Sequence, residues 1–243
     1  MIKFDSVSFA YPNGAKVLDN ISFTIHPGEH VGLIGANGAG KSTLMKSALG
    51  LLFPIGTIRI DSHTITKDSL PKIRKTLGYV LQDSDNQMFM PKVVDDMIFG
   101  PMNYGLDREK AIQKADEILA KLDLTHLKDR YNHKISGGEK RMAAIATILA
   151  MEPKAVLMDE PSASLDPYNR RNLIKTLNSL SELTIVIASH DLDMILETCD
   201  RVLLLGNGTI QADGPAMEIL TNKELLEANH LELPFCMAGI PKR

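Results

Sequence analysis

Gly35-Ala36-Asn37-Gly38-Ala39-Gly40-Lys41-Ser42 is the stretch on which the fold turns. It has the form of a glycine, four residues, then Gly-Lys-Ser, the phosphate-loop pattern. Glycines let the backbone turn so that successive N–H groups point inward at an anion. A helix beginning near Lys41 aims its positive dipole end at the same point. Lys41 is placed to neutralise charge on the β- and γ-phosphates of a nucleotide, and the Ser42 hydroxyl to ligate Mg²⁺. With glycine near 7% of residues, a chance match in a chain this long is on the order of 1%. Residues 35–42, with the adjoining Thr43, are therefore the candidate site for ATP or GTP.

The flanks fit that site. His30 to Ile34 is a short apolar run that stops at glycine, and Leu44, Met45, Ala48 and Leu49 space an amphipathic helix after it. Before it, Ile21, Phe23 and Ile25 alternate cleanly, whereas Ile2, Phe4, Val7 and Phe9 alternate with one slip. Tyr11-Pro12-Asn13-Gly14 separates the two runs with turn chemistry. Ile58 to Ile60 and Leu77 to Leu81 predict further strands. From about Val93 to Ala150 the pattern is mostly helical, clearest over Asp107 to Leu122, where Ala111, Ile112, Ala115, Ile118, Leu119 and Leu122 share a face. Strand-like runs return at Ala155 to Met158, Thr184 to Ala188 and Val202 to Leu205, alternating with helical segments near Asn169 to Leu180 and Leu192 to Thr198. That alternation predicts an α/β fold with a mostly parallel, buried sheet, interrupted by a helical lobe. The end, Asn222 to Arg243, reads as a short helix and a polar tail.

Composition bounds the rest. The chain has 243 residues, 44% hydrophobic and 23% charged, enough for one large domain with a core. Its formal charge is −3, from 27 basic and 30 acidic residues, so no basic excess points to a nucleic-acid partner. Two cysteines, Cys199 and Cys236, make no disulfide framework and fit a reducing cytosol. The longest apolar-rich run, Met142 to Met151, is too short to span a bilayer, and the first residues have no stretch of signal-peptide length.

Ala155-Val156-Leu157-Met158 runs into Asp159-Glu160. A buried parallel strand delivers its C-terminal residues to the ligand crevice. Asp159 there would hold Mg²⁺ through water, and Glu160 would orient the attacking water as general base. Alone, two acids after an apolar run are more often a solvated turn. A phosphate loop 118 residues upstream reverses that weighting.

Ser136-Gly137-Gly138-Glu139 precedes a helix with apolar Met142, Ile145, Ala146 and Leu149. A serine and two glycines at a helix start make a second anion site. One nucleotide needs one phosphate loop, so a second anion site makes sense if it caps a γ-phosphate held by another copy. Taken together, the chain resembles the ATP-binding subunits of ABC transporters over nearly its full length. The resemblance implies a phosphate-loop NTPase core with a mostly parallel sheet, an antiparallel β subdomain and an inserted α-helical lobe. It implies ATP and Mg²⁺ as cofactors. Tyr11 matches the aromatic that stacks on adenine, and Gln82 the glutamine linking the Mg²⁺ and water site to the transporter contact. Ser136 to Glu139 matches the family signature, with Glu139 where glutamine is commoner. Ser162-Ala163-Ser164-Leu165-Asp166 matches the loop passing between subunits, with Ser164 in place of the more usual glycine. His190 matches the histidine that contacts the γ-phosphate. The implied catalytic set is Glu160, His190, Lys41 and Gln82, and the implied metal set is Ser42, Gln82 and Asp159. One domain spans 1–243: core about 1–82 and 152–221, lobe about 83–151, tail 222–243.

Residues 82–89 (QDSDNQMF), 99–103 (FGPMN), 146–153 (ATILAMEP) and 225–228 (LLEA) are similar to energy-coupling-factor transporters, most like their cobalt or nickel uptake branch. That implies a peripheral place on the cytoplasmic face of the cell membrane. It also implies a second ATP-binding subunit (a copy or a paralogue), a transmembrane coupling protein and a membrane substrate-binding component. Vitamin transport, and a soluble ABC-type ATPase of cofactor assembly, share the same catalytic motifs. Beside Gln82, Met88, Phe89, Met90, Val93, Met97, Phe99 and Met102 suit either a groove for a partner's helix or packing within the lobe. His63, His126 and His133 stand in predicted surface turns and define no site.

Overall fold

The computed structural model describes residues 1–12, 14 and 16–237. Asn13 of the predicted turn and the last six residues of the predicted tail lie outside them.

Two sheets organise the chain. The first is antiparallel: β1 (Ile2–Ala10) lies between β2 (Lys16–Ile25) and β4 (Ile55–Ile60), with β5 (His63–Thr64) at its edge. The slip in the β1 alternation is a bulge. The register with β2 shifts between Phe4 and Val7, and Ser6 between them holds φ 52°. An extra residue there returns Val7 to the buried face that Ile2 and Phe4 occupy.

The second sheet is the larger. β3 (His30–Ile34), β6 (Leu77–Val80), β7 (Ala155–Asp159), β8 (Thr184–Ala188) and β9 (Arg201–Gly206) run parallel, and β10 (Thr209–Pro215) pairs antiparallel with β9 at the edge. Every residue of β3, β7 and β8 is buried. Alternate residues feed two cores. Val31, Leu33, Leu157, Val186 and Leu203 face the antiparallel sheet, with α1 (Lys41–Ala48) between. Ile34, Val156, Met158, Ile187 and Leu204 face the helices on the other side. A sheet covered on both faces needs continuous apolar strands, which is why these runs carried no period-two signal.

The second core is roofed by α5 (Gly137–Leu149), α6 (Pro167–Asn178), α7 (Leu192–Thr198) and α8 (Ala216–Thr221). Between β6 and β7 the chain leaves the sheet to build α3 (Val93–Asn103), α4 (Arg108–Lys121) and α5, which pack on one another. Asp107 caps α4 through the Lys110 N–H. A short α2 (Leu70–Thr76) and the pair β10–α8 had no sequence reading of their own. β10 is a half-exposed edge strand ending in Asp-Gly-Pro, which reads as a turn. The polar tail needs one correction. Leu226 of α9 (Lys223–Ala228) is fully buried, and beyond that helix Leu231 and Leu233 pack on the second core. Among the described residues, no helix is long and apolar enough to cross a membrane.

Candidate functional site

The phosphate loop links the end of β3 to α1, at the C-terminal edge of the parallel strands, where α/β folds bind ligands. Gly35 has φ 152°, and a Cβ there would meet the Leu205 carbonyl oxygen at 2.2 Å, so no other residue fits. No side chain caps α1, whose N-cap is Gly40, and its first N–H groups are left for an anion.

Lys41 is buried and folded back over the loop. Its Nζ donates to Gly35 O at 2.7 Å and Ala36 O at 3.2 Å, and lies 3.2 Å from His190 Nε2. Burial pulls the ammonium below its ordinary pKa, while Glu160 and Asp159 pull it back up. Ser42 Oγ donates to Asp159 Oδ2 at 3.2 Å, bringing together the two oxygen groups expected to hold a metal.

β7 ends at Asp159, and Glu160 follows with φ 45°, a left-handed backbone rare for a non-glycine residue and typical of functional turns. The Glu160 amide is fixed to Ala188 O at 2.8 Å. Its carboxylate is held at one oxygen only: Oε2 accepts from Ser189 Oγ at 3.1 Å and from the His190 N–H at 3.2 Å. Oε1 is buried without a hydrogen-bond partner, 3.4 Å from His190 Nε2. That nitrogen therefore lies between an ammonium, which only donates, and a carboxylate, which only accepts.

These groups line one open cavity of about 570 Å³, with Tyr11 at its mouth. It gathers Tyr11, Asn37 to Thr43, Gln82, Asp159, Glu160 and His190. Tyr11 packs edge-on against Phe9, and its OH is 3.4 Å from Thr43 Oγ1. Gly35 and Ala36 contribute carbonyls to Lys41 rather than a lining surface.

The remaining candidates lie elsewhere in the chain. Ser136 caps α5 by a capping box: its Oγ accepts from the Glu139 N–H, and the Glu139 carboxylate accepts from the Ser136 N–H at 2.7 Å. That bond holds the Glu139 carboxyl below its usual range. Gly137 lines a neighbouring groove of about 520 Å³ that shares Gln82 and Ala163 with the first cavity. Asp166 caps α6, accepting from the Tyr168 and Asn169 N–H groups. A Cβ on Gly138 would come within 2.3 Å of Asn169, so the second glycine lets α5 and α6 touch beside the Asp166 loop.

Four residues near the site had no role in the sequence reading. Tyr79, in β6, donates to Asp159 Oδ2 at 3.1 Å, and burial beside that carboxylate pushes its phenol well up. Ser189 grips Glu160, Arg141 grips Leu81 and Gln82, and Gln87 bridges Leu81 to Ala144. The signal for Arg141 was a charged residue inside an apolar helix face; the others need strand pairing to become visible. Among the described residues, no cluster of three or more His, Cys, Asp or Glu forms a separate metal site.

The "ABC transporter" family model matches residues 18–163. A putative ABC transporter ATP-binding protein of Geobacter sulfurreducens is 43% identical over 99% of this chain and 97% of its own length. The energy-coupling factor transporter ATP-binding protein EcfA of Carboxydothermus hydrogenoformans is 40% identical, over 96% of this chain and 87% of its own. Among solved structures, cbiO1 of Clostridium perfringens, described as part of the ABC transporter complex cbiONQ, superposes with a TM-score of 0.85. It is 35% identical over 97% of this chain and 96% of its own. The ATP-binding cassette MJ0796, described as dimeric and bound to ADP and Pi, is 26% identical. Its TM-score is 0.80, covering 89% of this chain and 99% of that one.

Proposed function

The chain belongs to the ABC transporter family, and on that premise we propose that it drives the import of cobalt or nickel ions from the cytoplasmic face of a cell membrane. It is an ATP-binding, ATP-hydrolysing subunit of the EcfA-like, energy-coupling-factor kind. The choice of ion rests on the sequence likeness over residues 82–89, 99–103, 146–153 and 225–228. The reading includes two ATP-binding protomers, a transmembrane coupling protein and a membrane substrate-binding component. It also includes the division into core (about 1–82 and 152–221), lobe (about 83–151) and tail (222–243).

The observation that carries the chemistry is the half-held carboxylate of Glu160. Ser189 and the His190 N–H fix Oε2, which leaves Oε1 to take a proton from a water attacking the γ-phosphorus. The new bond joins water oxygen to phosphorus, and the bond to the β–γ bridging oxygen breaks to release ADP. The hard oxygens of Ser42 and Asp159, 3.2 Å apart, suit Mg²⁺, with Gln82 beside them. Such an ion would neutralise phosphate charge. Lys41 moves from the carbonyls of Gly35 and Ala36 to the β- and γ-phosphates, and His190 Nε2 faces the γ-phosphate. Tyr11 stacks on adenine. Ser136, Gly137, Gly138, Glu139 and Asp166 lie outside the protomer's own cavity, as residues that complete a partner's nucleotide site would. ATP then joins the protomers and hydrolysis releases them.

Glu160→Gln tests this. A positioned base is worth about 10²- to 10⁴-fold, so turnover should fall by at least about 100-fold while ATP still binds. ATP-bound dimers should accumulate on size-exclusion chromatography. Near-normal hydrolysis by the variant would remove Glu160 from the role.

A further inference from the structure

Leu81 and Gln82 follow β6, a strand of the core sheet, yet the side chains that grip them come from the lobe. Arg141, on α5, donates through Nη1 to Leu81 O at 2.6 Å and through Nη2 to Gln82 O. Its guanidinium is buried, and the planar fork presents two donors to two successive carbonyls. Gln87 closes the loop from the other side. Its Oε1 accepts from the Leu81 N–H at 3.0 Å, and its Nε2 donates to Ala144 O of α5 at 2.7 Å. Lys140, also on α5, pairs with Asp85. Residues 81–87 are thus tied three times to one helix, and both backbone polar groups of Leu81 are engaged. The N-terminus of that helix is Ser136 to Gly138, and Gln82 is where the nucleotide cavity meets the neighbouring groove.

We infer that Arg141 and Gln87 are positioning residues that join residues 81–87 and α5 into one body. Gln82 then takes its catalytic place only as Ser136 to Gly138 seat on the nucleotide of the second protomer. The inference rests on the two-protomer reading above. Neither side chain touches the nucleotide cavity; both act through the backbone of Leu81 and Gln82. A buried guanidinium that leaves unsatisfied carbonyls when removed serves such a rigid link better than a flexible apolar contact.

A double-mutant cycle on the full chain tests the link. Arg141→Lys keeps the charge but reaches one carbonyl. Gln87→Glu keeps the acceptor for the Leu81 N–H and sets a carboxylate oxygen against Ala144 O. Each is assayed for MgATP hydrolysis alone and together with Gln82→Ala. The expected result is a kcat about 10-fold lower in either single variant, but under about 2-fold lower once Gln82 is already Ala, with KM unchanged. Losses that multiply independently of Gln82, or a KM that collapses together with Tm, would overturn the inference and mark the two residues as merely structural. Hydrogen exchange on the nucleotide-free protein reads the clamp without any dimer. Peptides covering 81–87 should lose protection in both variants while β7 and β8 keep theirs; protection equal to the parent overturns the clamp. Absence of ATP-dependent dimers in Glu160→Gln sinks the two-protomer premise instead, an outcome separate from either result.

Discussion

Two non-glycine residues of the site segment, Glu160 and Ser164, hold left-handed backbone, at φ 45° and 63°. Their situations differ. In the proposed mechanism Glu160 needs its carboxylate, so the strain is retained with the chemistry. Ser164 is exposed, sits where glycine is usual in the resembling loops, and gains nothing visible from its Cβ. Left-handed backbone costs an ordinary residue roughly 1 kcal/mol or more. Ser164→Gly should therefore stabilise the protein by about 1 kcal/mol, or about 2–4 °C in a thermal melt. An unchanged or lower Tm would show that the loop relaxes around serine without strain. The Glu139 carboxylate turns back onto the Ser136 N–H at the start of α5, and its charge faces the helix dipole favourably.

At the scale of the element, the methionine-rich stretch splits rather than acting as a unit. Met88, Val93 and Met97 are core, whereas Phe89, Phe99 and Met102 are exposed. The loop that turns Phe89 outward is held by a buried carboxylate on α3. Asp96 accepts from the Phe89 and Met90 N–H groups, both at 3.1 Å, and from the Asn132 amide. Burial raises the Asp96 pKa, against the pull of the Met90, Asn132 and Phe89 donors; Asp95 adds to the rise. A carboxyl raised in the folded state binds more protons there than in the unfolded chain. Its contribution is complete below the ordinary aspartate value and is lost as pH rises through the folded one. Asp96→Asn removes this titration. Urea midpoints of parent and variant should therefore diverge from about pH 4 upward, the parent losing stability relative to the variant. Parallel curves would mean that Asp96 titrates alike in both states. Removing the acceptor altogether, in Asp96→Ala, takes the partner from the part-buried Phe89 and Met90 N–H groups and one of two acceptors from the buried Asn132 amide, and should destabilise by about 2 kcal/mol.

For the whole molecule, the exposed rings of Phe89 and Phe99 meet edge to face at 5.1 Å, one loop away from Gln82. Placed there, they suit a partner's apolar helix, and the proposed transporter predicts the effect of charging them. Phe89→Glu combined with Phe99→Glu should leave ATP binding intact and abolish recovery with the membrane fraction of cells producing the full transporter. Undiminished recovery would move the docking surface elsewhere. Much of this molecule is legible in its sequence because the decisive information is local. Gly35 to Ser42 must turn, free its N–H groups and start a helix whatever surrounds it. Ala155 to Met158 must be a buried strand, and the slip between Phe4 and Val7 marks a bulge that local pairing explains. Ser136 and Glu139 cap their own helix within four residues. Tertiary structure alone decided the rest. Tyr79 reaches Asp159 because β6 lies beside β7, Glu160 is half-held because Ser189 follows β8, and Arg141 finds Leu81 across 60 residues. Such contacts depend on which strands neighbour and which helix roofs them. Loop closure and packing settle that over the whole chain, and no spacing within a single segment encodes it.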